Sequence, residues 1–296
     1  MEYRVLGPLQ VICDDGTPAV FGRPVLALMA VLLVFAGEPC PRDMLVNAIW
    51  GGRAPASPAR ALQTCLSRAR RAMGPGSCLR TLGDGALCAE PGPQDLDLTR
   101  FLQLRATALR QLEHGHLRPA GRALEQALAC WRDPPRSGRR LEHAPPWACW
   151  RDPPLPDLPD APEVAAQRVR LLKEREMAWL TLADILLALG DHDRLLPHLH
   201  ARVVAEPLCE RSWSQLMLAL YQSGRSGEAL AAYSRARMEL VRTLGTEPGA
   251  ELQDLRDQVL AGPAGIIPAR WPFGTRATTE HVALDGRGER RLAAAR

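Results

Sequence analysis

The chain has 296 residues, of which 46% are hydrophobic and 24% are charged. A composition this close to that of average folded chains argues against a disordered, collagen-like or membrane-embedded protein, and the length predicts about two domains. The formal net charge of +4 is too small to indicate a partner. Lys173 is the only lysine, so no Gly-Lys-Ser/Thr sequence occurs and a P-loop nucleotide site is excluded.

The cysteines and the N-terminus predict a cytoplasmic protein. The eight cysteines are scattered without a Cys-x-x-Cys pair, which excludes a zinc knuckle and a dithiol redox motif. The opening residues lack the basic-then-apolar order of a signal peptide. The longest apolar run, residues 25–36, is well short of the about 20 residues that cross a bilayer, and it predicts a buried helix.

The first part of the chain predicts strands, three helices and a closing hairpin. Apolar and polar residues alternate around the turn Asp14-Asp15-Gly16, and Ser57-Pro58 is a typical helix start, with Ser57 as the N-cap. The expected strands lie at about 3–6, 9–13 and 18–21, the helices at 24–36, 41–50 and from 57 to the Gly74-Pro75-Gly76 break, and the hairpin at 79–82 and 86–89. This order predicts a winged helix-turn-helix domain over residues 1–93.

From residue 97 to residue 260 the pattern is almost entirely helical. Amphipathic runs occur at about 98–114, 117–130, 163–189, 194–205, 208–223, 226–243 and 249–260. Gly190 and Gly224 begin related loops 34 residues apart, the period of a tetratricopeptide repeat, and Gly115 begins a third such loop. The predicted fold is therefore mostly α with small β elements, with an all-α tetratricopeptide-like domain over residues 94–260.

A tandem repeat interrupts that periodicity. Residues 129–135, Ala-Cys-Trp-Arg-Asp-Pro-Pro, recur at 148–154, a shift of 19 residues. We interpret residues 131–149 as a loop insertion. Its prolines and arginines are typical of an exposed, irregular segment. Residues 261–296 lose periodicity and predict a disordered tail.

The third predicted helix carries the strongest functional signal. Leu62, Leu66, Ala69 and Met73 share one side of a helical wheel, and the opposite side is basic and polar. No acidic residue occurs between Asp43 and Asp84, a stretch that holds six arginines. Such a local positive field favours a nucleic-acid phosphate backbone, although a charged helix face is also an ordinary solvated surface.

The positions along this helix suggest a division of roles. The N-terminal turns of a helix in the major groove reach base edges, so Arg60, Gln63 and Thr64 are the base-reading candidates. Side chains further along, and those entering the hairpin, are better placed for phosphates. The phosphate-contact candidates are Ser67, Arg68, Arg70, Arg71, Arg80 and Thr81.

Catalytic and metal-binding patterns are weak. None of the seven histidines lies in a His-Glu-x-x-His arrangement or beside a nucleophile motif. His198 and His200 are two residues apart on a predicted helix and point in different directions. We expect no enzyme activity, no catalytic residues, no metal and no cofactor.

Four segments in order resemble the Streptomyces antibiotic regulatory protein (SARP) family over about residues 1–260. They are Tyr3-Arg4-Val5-Leu6-Gly7-Pro8-Leu9; Leu62-Gln63 with Ser67-Arg68 and Arg70-Arg71; Gln215 to Tyr221 with Ser223-Gly224-Arg225 and Glu228-Ala229-Leu230; and Leu244 to Leu252. In this family an OmpR-type winged helix precedes a bacterial transcriptional activation domain of tetratricopeptide-like helices. The resemblance implies an activator of secondary-metabolite genes, bound to promoter direct repeats as a homodimer and contacting the sigma and alpha subunits of RNA polymerase.

The chain departs from the family pattern at two positions near the expected DNA surface. The first helix begins with the apolar Pro24-Val25-Leu26, where the family has basic or Gln-rich residues, and the wing carries Gly85-Ala86, where the family commonly has Gly-Tyr. Two alternative functions therefore stay open beside that of an activator. One is a helical-repeat scaffold with weakened DNA binding, and the other is a ligand sensor that uses the concavity of the repeats. The leading hypothesis is a DNA-binding activator, cytoplasmic and nucleoid-associated, with double-stranded promoter DNA as its partner and no membrane contact.

Overall fold

The computed structural model describes residues 1–132, 154–156, 158 and 161–262. The N-terminal elements in this part of the chain are β1 (Glu2–Arg4), β2 (Gln10–Ile12), α1 (Arg23–Val34), α2 (Arg42–Trp50), α3 (Pro58–Met73), β3 (Leu79–Thr81) and β4 (Leu87–Ala89). The helical elements that follow are α4 (Asp97–Glu113), α5 (Leu117–Ala129), α6 (Pro162–Ala188), α7 (His192–Ala205), α8 (Glu210–Gln222), α9 (Ser226–Leu244) and α10 (Ala250–Ala261). The fold is mostly α, with a winged helix-turn-helix followed by helical repeats, as the sequence predicts.

Two short antiparallel hairpins flank the three N-terminal helices. Tyr3 pairs with Val11 between β1 and β2, and Arg80 pairs with Cys88 between β3 and β4. The third strand expected at 18–21 is wrong, because only an isolated bridge joins Pro18 to Ile12. The Ala19 N–H still donates to the Val11 carbonyl at 2.8 Å beside this bridge, but no ladder extends from there to residue 21.

The start of α3 also differs from the prediction in one detail. The helix begins at Pro58 as expected, but the Ser57 side chain makes no capping hydrogen bond. Ser57 contributes only its backbone carbonyl, which accepts the Ala61 N–H at 3.0 Å. The fixed φ of Pro58 at the first helical position is then the local feature that favours the helix start.

The three predicted glycine loops share one backbone geometry. Gly115, Gly190 and Gly224 have φ values of +74°, +80° and +74°, a conformation that L side chains rarely adopt. After each of them the next residue donates its N–H to a carbonyl five residues earlier, as in Arg225 to Leu220 at 2.9 Å. This is a helix-ending hydrogen-bond pattern of the Schellman type, and it turns the chain back into the following antiparallel helix.

Buried polar groups join α6 to α8 inside the helical domain. Asp184 is fully buried and accepts hydrogen bonds from Arg211 and from the Gln215 amide, the latter at 2.6 Å. The same amide donates to the Leu180 carbonyl at 2.8 Å. Because a buried charge is costly without partners, this network fixes the relative placement of the two helices.

The N-terminal hairpin is bonded directly to the helical domain. The carboxylate of Asp97 accepts the N–H groups of Val5 and Leu6 at 2.8 and 3.0 Å. Arg132 donates its backbone N–H to the Leu6 carbonyl at 2.8 Å and its guanidinium to Gln10 at 2.7 Å. The two domains are therefore connected by hydrogen bonds that involve both backbone and side chains.

The first residues of the predicted insertion are not exposed. Trp131 is 4% exposed and packs edge-on against Phe101 at 5.5 Å, with Arg175 over its ring at 4.9 Å. Trp131 therefore packs inside the helical domain, and Arg132 bonds to the N-terminal hairpin, so the exposed segment expected from residue 131 is wrong at its start. The rest of the predicted insertion, the second copy of the repeat before residue 154, and the tail from residue 263 lie outside the described residues.

The buried carboxyl of Asp97 predicts a pH dependence of stability. Burial raises the pKa of Asp97 to about 6, against the lowering effect of the Val5 and Leu6 N–H groups and of Arg132. An exposed aspartate has a pKa of about 3.9, so the folded protein keeps this proton over a range in which the unfolded chain has lost it. We expect this group to lower the free energy of unfolding by on the order of 3 kcal/mol as the pH rises from about 4 to about 6.

Carboxyl-carbon NMR of the Asp97 side chain measures this titration directly. The expected midpoint is about 6. A midpoint at or below the ordinary aspartate value would contradict the prediction.

Among the described residues, no helix is both long and apolar enough to cross a membrane. The cysteines in this part of the chain are all free thiols, of which Cys40, Cys65, Cys78 and Cys88 are buried. The burial of these four agrees with the mostly buried thiols that the sequence predicts.

Candidate nucleic-acid interface

Helix α3 separates cleanly into a buried face and an exposed basic face. Its apolar side chains pack into the domain core beside α1 and α2; they are Leu62, Cys65, Leu66, Ala69 and Met73. Its polar candidates are exposed, apart from one half-buried arginine; they are Arg60, Gln63, Thr64, Ser67, Arg68, Arg70 and Arg71. Core packing therefore determines which side chains of α3 face solvent.

The base-reading candidates occupy consecutive turns at the N-terminal end of α3. Arg60, Gln63 and Thr64 are all exposed. The Thr64 hydroxyl donates to the Arg60 carbonyl at 2.9 Å, which leaves its oxygen lone pairs available as acceptors. The guanidinium and amide ends of Arg60 and Gln63 supply the donor and acceptor groups that pair with guanine and adenine edges.

Arg70 contacts the wing. This half-buried residue donates from its guanidinium to the Leu79 carbonyl at 3.2 Å and to the Thr81 hydroxyl at 3.0 Å. Both acceptors lie on β3, so Arg70 links the C-terminal part of α3 to the hairpin. Through this contact, Arg70 positions the wing relative to α3. This role is separate from the phosphate contact for which the sequence made Arg70 a candidate.

The hairpin is held from its other side by the segment before α2. Cys40 and Leu87 exchange backbone hydrogen bonds at 2.8 and 3.0 Å, and the Arg42 side chain donates to the Gly85 carbonyl at 2.8 Å. Arg42 was not identified by the sequence reasoning, because its contact with the wing turn lies 43 residues away along the chain. The wing is thus fixed to both α2 and α3.

Three residues of the wing have a clear structural context. Gly85 has φ +83° at the turn, where a side chain would be strained, and Ala86 is buried. Arg80 is exposed and forms a 3.6 Å ion pair with Glu90, the residue that directly follows β4. An exposed pair of this kind is weak, so a DNA phosphate can replace the carboxylate as the partner of Arg80.

Replacing Arg70 by methionine separates the positioning role from a phosphate contact. We expect Arg70→Met to lower the free energy of unfolding by about 1 kcal/mol and to weaken DNA binding severalfold, because two hydrogen bonds to β3 are lost. The slope of log K against log salt is expected to stay unchanged, since a positioning residue releases no counterion. Binding titrations at several salt concentrations test this.

Thr81→Val is the matched variant, since it removes only the hydroxyl acceptor of the same contact. It should reproduce part of the loss of stability. A slope lower by about 0.9 in Arg70→Met would instead identify a direct phosphate contact.

A winged helix with a basic, exposed third helix, joined to a helical-repeat domain, defines a class of transcriptional regulators. The family model of the bacterial transcriptional activator domain matches residues 96–145 and 136–260 of this chain. The two matched ranges overlap at residues 136–145, inside the segment that the sequence predicts as an insertion. The chain belongs to the Streptomyces antibiotic regulatory protein family.

Individual relatives agree with this assignment. The regulatory protein DnrI of Streptomyces peucetius is 30% identical over 276 residues, which cover 90% of this chain and 94% of DnrI. The regulatory protein AfsR of Streptomyces coelicolor is 34% identical over 267 residues, 89% of this chain but only 25% of AfsR. A structure of Mycobacterium tuberculosis EmbR in complex with a low-affinity phosphopeptide superimposes with a TM-score of 0.77 at 26% identity, covering 89% of this chain and 66% of that one.

The structure gives physical reasons for the segments that resemble the family. Val5 and Leu6 provide the backbone groups that bond across the domain junction, and the buried amide of Gln215 on α8 bonds to Asp184 on α6. Gly245 ends α9 with φ +70°, and the Gly249 N–H donates to Glu210 at 2.7 Å. These segments support the architecture, whereas the candidate DNA contacts lie in α3 and the wing.

Proposed function

We propose that this transcriptional regulator is a sequence-specific DNA-binding activator of a secondary-metabolite gene cluster, without catalytic activity. The observation that carries the proposal is the exposed row of Arg60, Gln63 and Thr64 at the start of α3, with the arginines Arg68 and Arg71 further along. This arrangement places groups suited to base edges ahead of groups suited to phosphates on one exposed helix face.

The wing extends the same candidate surface. Arg80 and Thr81 on β3 are exposed, and Arg70 fixes that strand relative to α3. The proposed complex therefore has α3 in the major groove and the β3–β4 hairpin against the adjacent backbone. The domain assignment proposed for this function is 1–93 for DNA and 94–260 for activation.

Promoter direct repeats and RNA polymerase are the proposed partners. Two copies of the chain would occupy adjacent repeats as a homodimer, and the helical domain would contact the sigma and alpha subunits. Similarity to DnrI over nearly the whole length of DnrI supports a regulator with this arrangement of domains.

Footprinting combined with in vitro transcription tests the proposal. The full chain is expected to protect spaced direct repeats in promoters from its own gene neighbourhood and to increase transcripts made by RNA polymerase holoenzyme. A promoter with scrambled repeats is the matched control. Protection without any increase in transcripts would contradict activation, and equal binding to scrambled repeats would contradict sequence specificity.

The scaffold alternative gives a different result in the same experiment. A protein with only protein contacts would protect no promoter, even though it is folded. The sensor alternative predicts that a small metabolite raises the melting temperature through the concave face of α4–α10.

A further inference from the structure

A small polar cavity lies at the junction between the winged helix and the helical domain. Its volume is about 270 Å³. Its walls come from β1 on one side and from α4, α5 and the residues after α5 on the other; they are Glu2, Arg4, Asp97, Arg100, Gln126, Ala129, Cys130 and Arg132. None of these residues belongs to the candidate DNA surface on α3 and the wing.

Positive charge exceeds negative charge around this cavity. Arg4 is paired with Glu2 through two hydrogen bonds of 2.8 Å. Arg132 lies 3.6 Å from Asp97, whose oxygens also accept backbone N–H groups. Arg100 is exposed, and its guanidinium forms no hydrogen bond or ion pair with any residue in the part of the chain that the structure describes. Three guanidinium groups therefore face two carboxylates, and one of the three has no partner among the described residues.

The charges are close enough to affect one another. Burial lowers the pKa of Arg132, although Asp97 opposes this, and the neighbouring charge of Arg4 lowers it further. The hydrogen bond from Arg4 lowers the pKa of Glu2, and the charges of Arg100 and Arg132 act in the same direction. Like charges held in one small volume repel, and a bound anion relieves that repulsion.

We propose that this junction cavity binds a small phosphate, either inorganic phosphate or the phosphate group of a small monoester. The planar donor fork of a guanidinium matches phosphate oxygens, and phosphate has enough acceptor oxygens for more than one arginine. Arg100 supplies the unpaired fork, and the Gln126 amide adds a neutral donor on the same wall. The volume is below the range of about 300–1,000 Å³ typical of drug-sized ligands, which favours a compact anion.

The position of the cavity gives binding a consequence for the whole molecule. Arg4 belongs to the winged helix, whereas Arg100 and Arg132 belong to the helical side. A phosphate held between them adds a contact across the junction beside the Asp97 hydrogen bonds. Because the unfolded chain lacks this arrangement, the ligand stabilises the folded protein.

Thermal unfolding of the full chain during titration with inorganic phosphate tests the site. Ionic strength is kept constant with sodium chloride, so that only specific binding raises the melting temperature. The melting temperature of the unmodified protein is expected to rise with phosphate, and Arg100→Ala is expected to weaken phosphate binding by about 10-fold or more, because a charge-assisted hydrogen bond is lost. Arg110→Ala is the matched control, since it removes an exposed arginine from the same helix outside the cavity.

Each result has a defined meaning. No phosphate-dependent rise in the unmodified protein, or equal affinity in Arg100→Ala and the unmodified protein, would overturn the proposal. Acetate binding with the same affinity and the same dependence on Arg100 would overturn the assignment to phosphate. Glycerol 3-phosphate binding more tightly than inorganic phosphate would identify a monoester as the ligand, and equal binding would identify free phosphate. No DNA is present, so failure here is distinguishable from failure of the proposed function.

Discussion

Alanine at Arg60, Arg68 and Arg71 together is expected to weaken specific promoter binding by about 100-fold or more. All three side chains are exposed on α3, and each proposed contact contributes about 1–3 kcal/mol at a base edge or one released counterion at a phosphate. Because none of them packs in the core, the variant is expected to keep the melting temperature of the unmodified protein. Fluorescence anisotropy with labelled promoter DNA measures the loss.

Single variants separate the proposed roles. Arg60→Ala is expected to relax sequence preference at one base position by about 1–3 kcal/mol. Arg71→Ala is expected to weaken binding to all sequences about equally and to reduce the salt slope by about 1. Equal effects of the two variants on specific and nonspecific DNA would contradict the assignment.

A triple variant of Arg110, Arg118 and Arg122 to alanine is the matched control. These arginines are exposed on α4 and α5, and the substitution removes the same total charge. If the control lost as much affinity as the α3 variant, the loss would reflect net charge rather than contacts made by α3.

The second large effect concerns the domain junction. Gly7 has φ +144°, and a Cβ at this position would lie 2.4 Å from the Arg132 carbonyl oxygen. That oxygen belongs to backbone whose own N–H is hydrogen-bonded to Leu6, so it is not free to move away. We expect Gly7→Ala to lower the free energy of unfolding by about 2–4 kcal/mol, through strained backbone and displacement of the junction.

Gly16→Ala is the control for backbone strain alone. Gly16 has φ +81°, but a Cβ there would meet nothing within 4 Å. A loss of about 1 kcal/mol is expected for this variant. Urea unfolding of both proteins measures the difference, and equal losses would show that the close approach to Arg132 does not matter.

The helices and their repeat were predictable because their signals are local. The apolar spacing of α3 correctly predicts that Leu62, Leu66, Ala69 and Met73 are buried. The glycines at 115, 190 and 224 predict loops because the left-handed conformation that ends these helices favours glycine. Such features depend on residues a few positions apart, which a single sequence displays directly.

The junction was not predictable because its partners are far apart in the sequence. Asp97 accepts hydrogen bonds from Val5 and Leu6, which precede it by 92 and 91 positions in the sequence. Arg132 donates to Gln10, which lies 122 positions earlier. From the sequence, Asp97 resembles an ordinary acidic residue at a helix start, and Trp131 and Arg132 resemble the beginning of a loop. Residues 3–9 resemble the family pattern, but the resemblance does not indicate that this segment contacts Asp97 and Arg132.

The candidate DNA surface was predictable only in part. A helical wheel correctly places Arg60, Gln63 and Thr64 on the exposed side of α3, because solvent exposure follows from the buried apolar positions. The wheel does not show that Arg70 reaches β3 or that Arg42 holds the wing turn, since both contacts depend on tertiary structure. Sequence reasoning therefore identified the surface but not the bonds that position it.

Binding of the full chain to a promoter fragment with intact direct repeats, titrated against salt in the presence of nonspecific competitor, tests the central claim most directly. The account predicts a complex that forms on intact repeats, weakens with a linear dependence of log K on log salt, and is lost on scrambled repeats. A folded protein that binds intact and scrambled repeats equally, or neither, would contradict sequence-specific recognition by α3.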